Sequence, residues 1–319
     1  IVQAMGEALR RPAFRTQDWQ AEKPVLRDEL AQMSQNPEAA LAAILYDQAF
    51  QKHPYRRDVR GIPAGLDRVD LAAVRAFYEK YYRPANMTLV VVGNVDLESV
   101  DRAARAAFVG PPAPAPPPPL PAPERACARA VRRELPSPFR LGYIGLAFPA
   151  PAVTDQPDVY AMDLILTLLE HQGTGRLPRI LRGQAGIEAT YETRRQPGLL
   201  TLIAGAPGGN LESVEALMRR ELETLVNRPV AAEELALARR ALRGSFILDN
   251  ETLAGQAGLL GYYDAIDRWQ FGVEYLARVE ALTPEDVQAT AKKYIQLEQA
   301  VTVVLRPAAE GARPRGAVR

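Results

Sequence analysis

Apolar positions in the first hundred residues recur at helical spacing. Ile1, Val2, Met5 and Leu9 share one helix face, so the chain opens inside an element and is expected to have lost what came before. Thr16 to Gln35 is amphipathic, with Pro24 in its early turns. Asn36-Pro37-Glu38 is a helix start, Asn as cap and Pro at the first position, and it opens an apolar helix to Phe50. Leu71 to Tyr82 and Leu97 to Phe108 predict two more helices, with a strand from Thr88 to Val92 between them, ended by Gly93-Asn94.

Strand patterns are denser in the second half. Cys127 to Leu135 and Arg140 to Phe148 are expected to be neighbours across Pro136-Ser137-Pro138. Asp158 to Glu170 predicts a helix. Ile187 to Thr193 and Leu199 to Ala206 predict a hairpin around Gln196-Pro197-Gly198. Helices are expected at 211–227, 231–248, 251–267 and 284–294, and a last strand from Ala300 to Leu305. One internal resemblance links the halves. Val74, Lys80-Tyr81 and Leu89 to Val92 have counterparts in Val287, Lys293-Tyr294 and Val301 to Val304. Taken alone it is better explained by coincidence between two ordinary helix-strand units; if real, it makes the two pieces copies of one α+β module. Under duplication the first copy is short of strands.

Nine of the thirteen residues from Pro111 to Pro123 are proline. Such a stretch lacks backbone donors and favours an extended, semi-rigid linker. The expected organisation is therefore a first piece 1–110, a linker 111–124, a second piece 125–308 and a basic, disordered tail 309–319. The fold class is α+β, with two homologous domains. Each is a mostly antiparallel sheet packed with helices, the first incomplete.

Composition narrows the function. With 47% apolar residues, the 319-residue chain can build a sizeable core. Its net charge of +1 argues against a nucleic-acid partner, since no basic excess exists to neutralise phosphates. One cysteine, Cys127, excludes an intrachain disulfide and a cysteine-rich zinc site. No apolar run reaches the roughly 18 residues of a membrane span. Ala, Arg and Pro richness suits a bacterial source, periplasmic or cytoplasmic. The two histidines, His53 and His171, sit in no H-x-x-E-H spacing and read as structural or surface residues. Cys127 has no base near it in the sequence, and no G-x-S-x-G elbow, P-loop or dinucleotide fingerprint occurs.

Glu22 and Glu29 are seven residues apart, two helical turns, and project from nearly one face. A metal ligand with a helper fits that spacing. A solvated charged face fits it better, given Lys23, Arg27 and Asp28 alongside.

Glu22-Lys23-Pro24-Val25-Leu26-Arg27-Asp28-Glu29-Leu30 nevertheless resembles the segment of pitrilysin/insulinase-type zinc metallopeptidases (inverzincins) downstream of their inverted H-x-x-E-H motif. Further stretches follow in the same order: Asn36-Pro37-Glu38, His53-Pro54-Tyr55, Gly61, Lys80 to Asn86, Gly93-Asn94-Val95-Asp96, Gly173-Thr174-Gly175-Arg176-Leu177, Leu181-Arg182, Glu233-Glu234-Leu235, Glu251-Thr252 and Leu282 to Val287. The resemblance implies that Glu29 is the third zinc ligand and Glu22 a second acidic residue supporting the site. It also implies that the inverted motif lies before Ile1, so that zinc belongs to the full-length protein and is not held by this chain alone. An Arg and a Tyr seven residues later contact substrate in such proteins. Arg182 matches the Arg, with a surface salt bridge as the even alternative; Ala189 stands where the Tyr is expected. Tyr191 shares the strand face of Ala189, displaced by two rises of about 3.3 Å. Either it substitutes or, the favoured outcome, the contact is lost. The implied function is a metalloendopeptidase subunit acting on peptides or unfolded polypeptide in a chamber, as a homo- or heterodimer with a related subunit. A non-catalytic partner or structural subunit is the alternative.

Overall fold

The structure is a computed structural model that describes residues 1–109, 121–207 and 210–307. The proline-rich stretch and the basic tail fall largely outside the described residues. The chain separates into two compact units, and they do not follow the proline-rich stretch. One comprises 1–33, 59–120 and 249–272; the other comprises 34–58, 121–248 and 273–319.

The larger unit holds a five-stranded sheet: β1 (Val131–Ser137), β2 (Gly142–Ala150), β3 (Gly186–Tyr191), β4 (Gly198–Ala206) and β5 (Val301–Pro307), in the order β1-β5-β2-β4-β3. The predicted hairpin is present, with β3 antiparallel to β4 and Ala189 opposite Leu202. The expected pairing of the first two strands is corrected. β5 lies between them, parallel to β1 and antiparallel to β2. A strand from the end of the described chain that carries Val301, Val303 and Val304, all buried, takes the place beside β2 that sequence proximity alone assigns to β1. Three of the four pairings are antiparallel, as expected for this fold class.

Helix α3 (Pro37–Ala49) belongs to this unit because of what its apolar face covers. Asn36 caps it through the Ala39 amide at 2.8 Å. Leu41 and Leu45 are fully buried in one cluster with Tyr143, Ala147, Ile203, Val301 and Val303 of the sheet. Each such leucine stabilises the unit by about 1.5–3 kcal/mol through removal of apolar surface from water. The helix seats so close to β2 that a Cβ on Gly145 would lie 2.8 Å from Leu45 Cδ1. On the other side α7 (Asp158–Glu170) and α9 (Leu211–Asn227) pack with α13 (Pro284–Tyr294). With helices on both faces, β2 and β4 are buried almost throughout. Short α8 (Arg176–Ile180) precedes β3, and α10 (Ala232–Asp249) follows α9. The helix α12 (Gln270–Ala281) is an element the sequence reading lacked.

In the smaller unit the described residues form helices and irregular segments only. These are α1 (Val2–Arg10), α2 (Thr16–Ser34, continuing past the unit limit), α4 (Pro63–Asp67), α5 (Leu71–Tyr81), α6 (Leu97–Ala107) and α11 (Leu253–Ile266). α1 crosses α6 at Gly6, where a Cβ would sit 2.5 Å from the Ala107 carbonyl oxygen. The strand expected at Thr88 to Val92 is absent. That segment runs beside α11, with Thr88 donating to Asp264 at 2.7 Å, and finds no ladder partner among the described residues. A strand needs a neighbour to take its backbone groups, so pattern alone does not make one.

Candidate functional site

The predicted site residues fall on both units, and each group is described within its own. In the smaller unit, α2 is anchored by its cationic side. Lys23 donates to the carbonyls of Asp67 and Val69 at 3.2 and 2.7 Å, and Arg27 pairs with Asp67. Glu22 and Glu29 project roughly 100–160° round the helix from that side. Both are exposed, and neither makes an ion pair among the described residues.

In the larger unit, Arg182 lies in the turn between α8 and β3, exposed and without an ion pair among the described residues. What fixes this turn is Arg176 at the start of α8. Its guanidinium is 7% exposed, forks onto Glu234 of α10 with two bonds of 2.7 Å, and reaches Glu221 of α9 at 3.2 Å. Burial opposes the charge, and the two carboxylates outweigh it. Tyr191 is 9% exposed, and its hydroxyl donates to the Pro151 carbonyl at 3.1 Å. Ala189 on the same strand face is also buried.

Both histidines are structural, as expected. His53 is 5% exposed; its Nδ1 accepts from the Tyr55 amide at 3.1 Å, so Nε2 carries the proton and donates to Gln196 Oε1. Gln196 in turn donates to the Pro121 carbonyl at 2.8 Å, and Glu124 accepts from the amides of Gln51, Lys52 and His53. Burial works against the Glu124 carboxylate, but those three amides hold it below the usual carboxylate range. The Cys127 thiol donates weakly to the Ala147 carbonyl at 3.5 Å, and burial pushes its pKa up to about 12. It is no nucleophile.

One stretch passed over in the sequence is Thr167-Leu168-Leu169-Glu170-His171, an inverted motif with Thr in place of the first His. The geometry gives it no metal-binding competence. Thr167 turns its hydroxyl to the Asp163 carbonyl at 2.8 Å, and His171 has left the helix as its C-cap and bonds Thr174 at 2.7 Å. Among the described residues no three His, Cys, Asp or Glu side chains are placed to hold a metal ion.

Residues 68–242 match the family described as Peptidase M16 inactive domain, over half of the chain. The chain belongs to the peptidase M16 family. An uncharacterised zinc protease of Streptomyces coelicolor is 24% identical over 313 residues, covering 95% of this chain and 68% of that protein. The crystal structure of a peptidase M16 inactive domain from Pseudomonas fluorescens is 23% identical, with a TM-score of 0.77 over 97% of this chain and 74% of that one. A chain of Complex III2 from Candida albicans shares the fold at 13% identity, with a TM-score of 0.80 over 96% and 76%. An M16 chain of mixed α and β structure is thus what the ordered motifs indicated. The degenerate Thr167 to His171 stretch suits the family's inactive-domain description.

Proposed function

We propose that this chain is part of a zinc-dependent metalloendopeptidase subunit, in which Glu29 serves as a metal ligand, Glu22 supports it, and peptides are hydrolysed inside a chamber. The observation that carries the reading is the pair of exposed carboxylates on one face of α2, without ion pairs among the described residues, while Lys23 and Arg27 hold the helix in place. A catalytic zinc takes three protein ligands. The described residues do not fit that requirement by themselves. Glu29 supplies one carboxylate, and the remaining donors must come from other polypeptide. What the present residues contribute is a fixed carboxylate, and Arg182 on an exposed turn as a contact for substrate.

A second reading is a non-catalytic subunit that shapes the chamber of a related, active partner. Tyr191 favours it, since its hydroxyl is engaged with Pro151 and Ala189 leaves the expected Tyr position empty of a phenol. Metal analysis separates the readings. In polypeptide joining this chain to an inverted motif, Glu29→Gln should lower bound zinc and peptide hydrolysis together, whereas Asp28→Asn should change neither. Zinc content untouched by Glu29→Gln would overturn the ligand assignment. This chain alone should bind less than one zinc per molecule.

A further inference from the structure

The proline-rich stretch divides the chain into two pieces, yet neither unit is built from one piece alone. The larger unit includes residues 34–58 from before the stretch, and the smaller unit includes 249–272 from after it. Each of these segments is centred on one helix, α3 in the first case and α11 in the second.

In the larger unit α3 closes one face of the sheet. Leu41, Leu45 and Phe50 are at most 1% exposed, and they share a cluster with Tyr143, Ala147, Val301, Val303 and Leu305. Gly145 makes room for the helix, since a Cβ there would lie 3.1 Å from Leu41 Cγ as well as 2.8 Å from Leu45 Cδ1. Polar contacts from the second piece clamp the end of α3. The Cys127 amide donates to the Ala49 carbonyl at 3.0 Å. Glu124 accepts from the amides of Gln51, Lys52 and His53. The Arg194 guanidinium lies over the rings of Tyr46 and Tyr55, 5.3 and 5.0 Å from their centres.

In the smaller unit α11 makes the reciprocal exchange. Thr252 caps it through the Gly255 amide at 3.0 Å. The helix then follows the segment 88–93. Leu253 lies 3.8 Å from where a Cβ on Gly93 would stand, Val90 lies 3.6 Å from where one on Gly261 would stand, and Thr88 donates to Asp264. The helical rise from Leu253 to Asp264 and the extended reach from Thr88 to Gly93 are both about 16 Å, so the two run antiparallel over matched lengths. Segment 89–92 is the sequence counterpart of 301–304 in β5, and β5 is among the strands that α3 covers. Each piece therefore supplies the helix that covers this element of the other.

We propose that the two pieces recognise each other without a covalent link, α3 being the docking element of 1–109 and α11 that of 121–307. The partner of the α3 seat on the sheet is the chain's own first piece, cut free or supplied as a separate polypeptide. A seat that is apolar at its centre and hydrogen-bonded at its rim has the anatomy of a lasting interface. A break between the pieces then leaves Glu29 and Arg182 in one assembly, whatever reaction they serve.

A protease recognition sequence inserted after Ala115 lets the folded chain be cut. At about 1 μM, where a specific interface of ordinary size persists, the pieces should co-elute at the volume of the uncut chain. Exchange of a labelled first piece into excess unlabelled cut protein then reads the dissociation rate. Leu45→Ala should speed exchange about tenfold or more, since it empties part of the seat. Glu124→Gln leaves the core intact and should speed it about threefold or more through the lost clamp on the three amides. Glu233→Gln, exposed and off the seat, should change it by less than about twofold. Separation of the cut wild-type pieces in buffer would overturn the proposal. Exchange unmoved by both Leu45→Ala and Glu124→Gln would overturn α3 as the docking element. No readout involves zinc or peptide, so failure here and failure of the peptidase reading are separate results.

Discussion

Arg176→Ala is the sharpest test of how the turn carrying Arg182 is held. The guanidinium is 7% exposed and makes three bonds to two carboxylates, at 2.7, 2.7 and 3.2 Å. Truncating one partner of a buried ion pair costs about 3–5 kcal/mol, mostly from stranding the opposite charge. Here the side chains of Glu221 and Glu234 keep 17% and 29% exposure, so water recovers part of that penalty. The expected loss is about 2–3 kcal/mol. At roughly 2–4 °C per kcal/mol for a unit of this size, Tm should fall by about 5–10 °C. The assay is thermal unfolding by circular dichroism, beside Arg182→Ala, which removes an exposed side chain and should move Tm by less than about 1 °C. Arg176→Met should recover packing volume but not the charge complement, and so fall between wild type and alanine. Because α8 leads directly into the turn carrying Arg182, Arg176→Ala should also weaken peptide binding at temperatures where the chain is folded. A Tm change under about 2 °C would mean that the fork onto Glu234 is not what fixes α8.

Three further outcomes are expected. Burial holds the Asp163 carboxylate up to about 7 from an ordinary 3.8, against the pull of the Tyr275 hydroxyl donating at 2.6 Å. The folded state then retains a proton that the unfolded state has released. Stability should therefore fall as pH rises from about 4 to about 7 and level off above that. Asp163 is partly exposed, so we discount the full linkage value and expect Asp163→Asn to gain about 1–2 kcal/mol at pH 8 and nothing at pH 4. Urea denaturation at both pH values checks this, and equal gains would contradict it. Tyr191→Phe removes the bond to the Pro151 carbonyl and should cost about 1 kcal/mol in stability with peptide affinity unchanged; a selective loss of affinity would restore Tyr191 as a substrate contact. Leu45→Ala, at a fully buried position against Gly145, should cost about 2–5 kcal/mol in the same denaturation assay.

Helices whose apolar faces and caps coincide were legible from the sequence: α3 behind Asn36-Pro37, α13 behind Thr283-Pro284, and α7 and α9 as uniform apolar or amphipathic runs. The hairpin was legible because the turn residues Gln196-Pro197-Gly198 stand between an alternating run and a leucine-rich apolar run. Strand order was not. Nothing in β5 announces that it inserts between β1 and β2, since that choice depends on packing across residues far apart in the chain. Helix α12 was missed because Gly272 and a mixed polar pattern blur its start. The ordered motifs proposed Glu22, Glu29 and Arg182 as site residues, and their exposure in the fold is a tertiary property no local pattern shows. The Thr167 to His171 stretch could have been found by allowing one substitution in the inverted motif.

The internal resemblance of the two halves gains weight from local geometry. In α5 the Lys80 ammonium lies 5.0 Å from the ring centre of Tyr81; in α13 Lys293 lies 5.1 Å from that of Tyr294. Adjacent residues on a helix do not normally face each other, so the same Lys-over-Tyr arrangement twice is a shared device rather than a consequence of spacing. In the larger unit its use is plain. Lys293 at 2.5 Å, Tyr294 at 3.1 Å and Thr290 at 3.4 Å all donate to Asp158, the first residue of α7. Burial and then Asp158 keep the Tyr294 hydroxyl protonated, so it remains a donor. This fixes the helix bearing Thr167 and Glu170, and ending at His171, against the helix that feeds β5. If the two halves are copies of one module, the Lys80–Tyr81 pair would have a corresponding role in the first copy: holding a helix equivalent to α7. Lys80→Ala and Tyr81→Phe should then leave this chain's own stability nearly unchanged, because Lys80 is exposed and the phenylalanine keeps the ring that packs on Phe77. In polypeptide that also carries the inverted motif, both should lower bound zinc without touching Glu29. Equal destabilisation with and without the motif would refute that role.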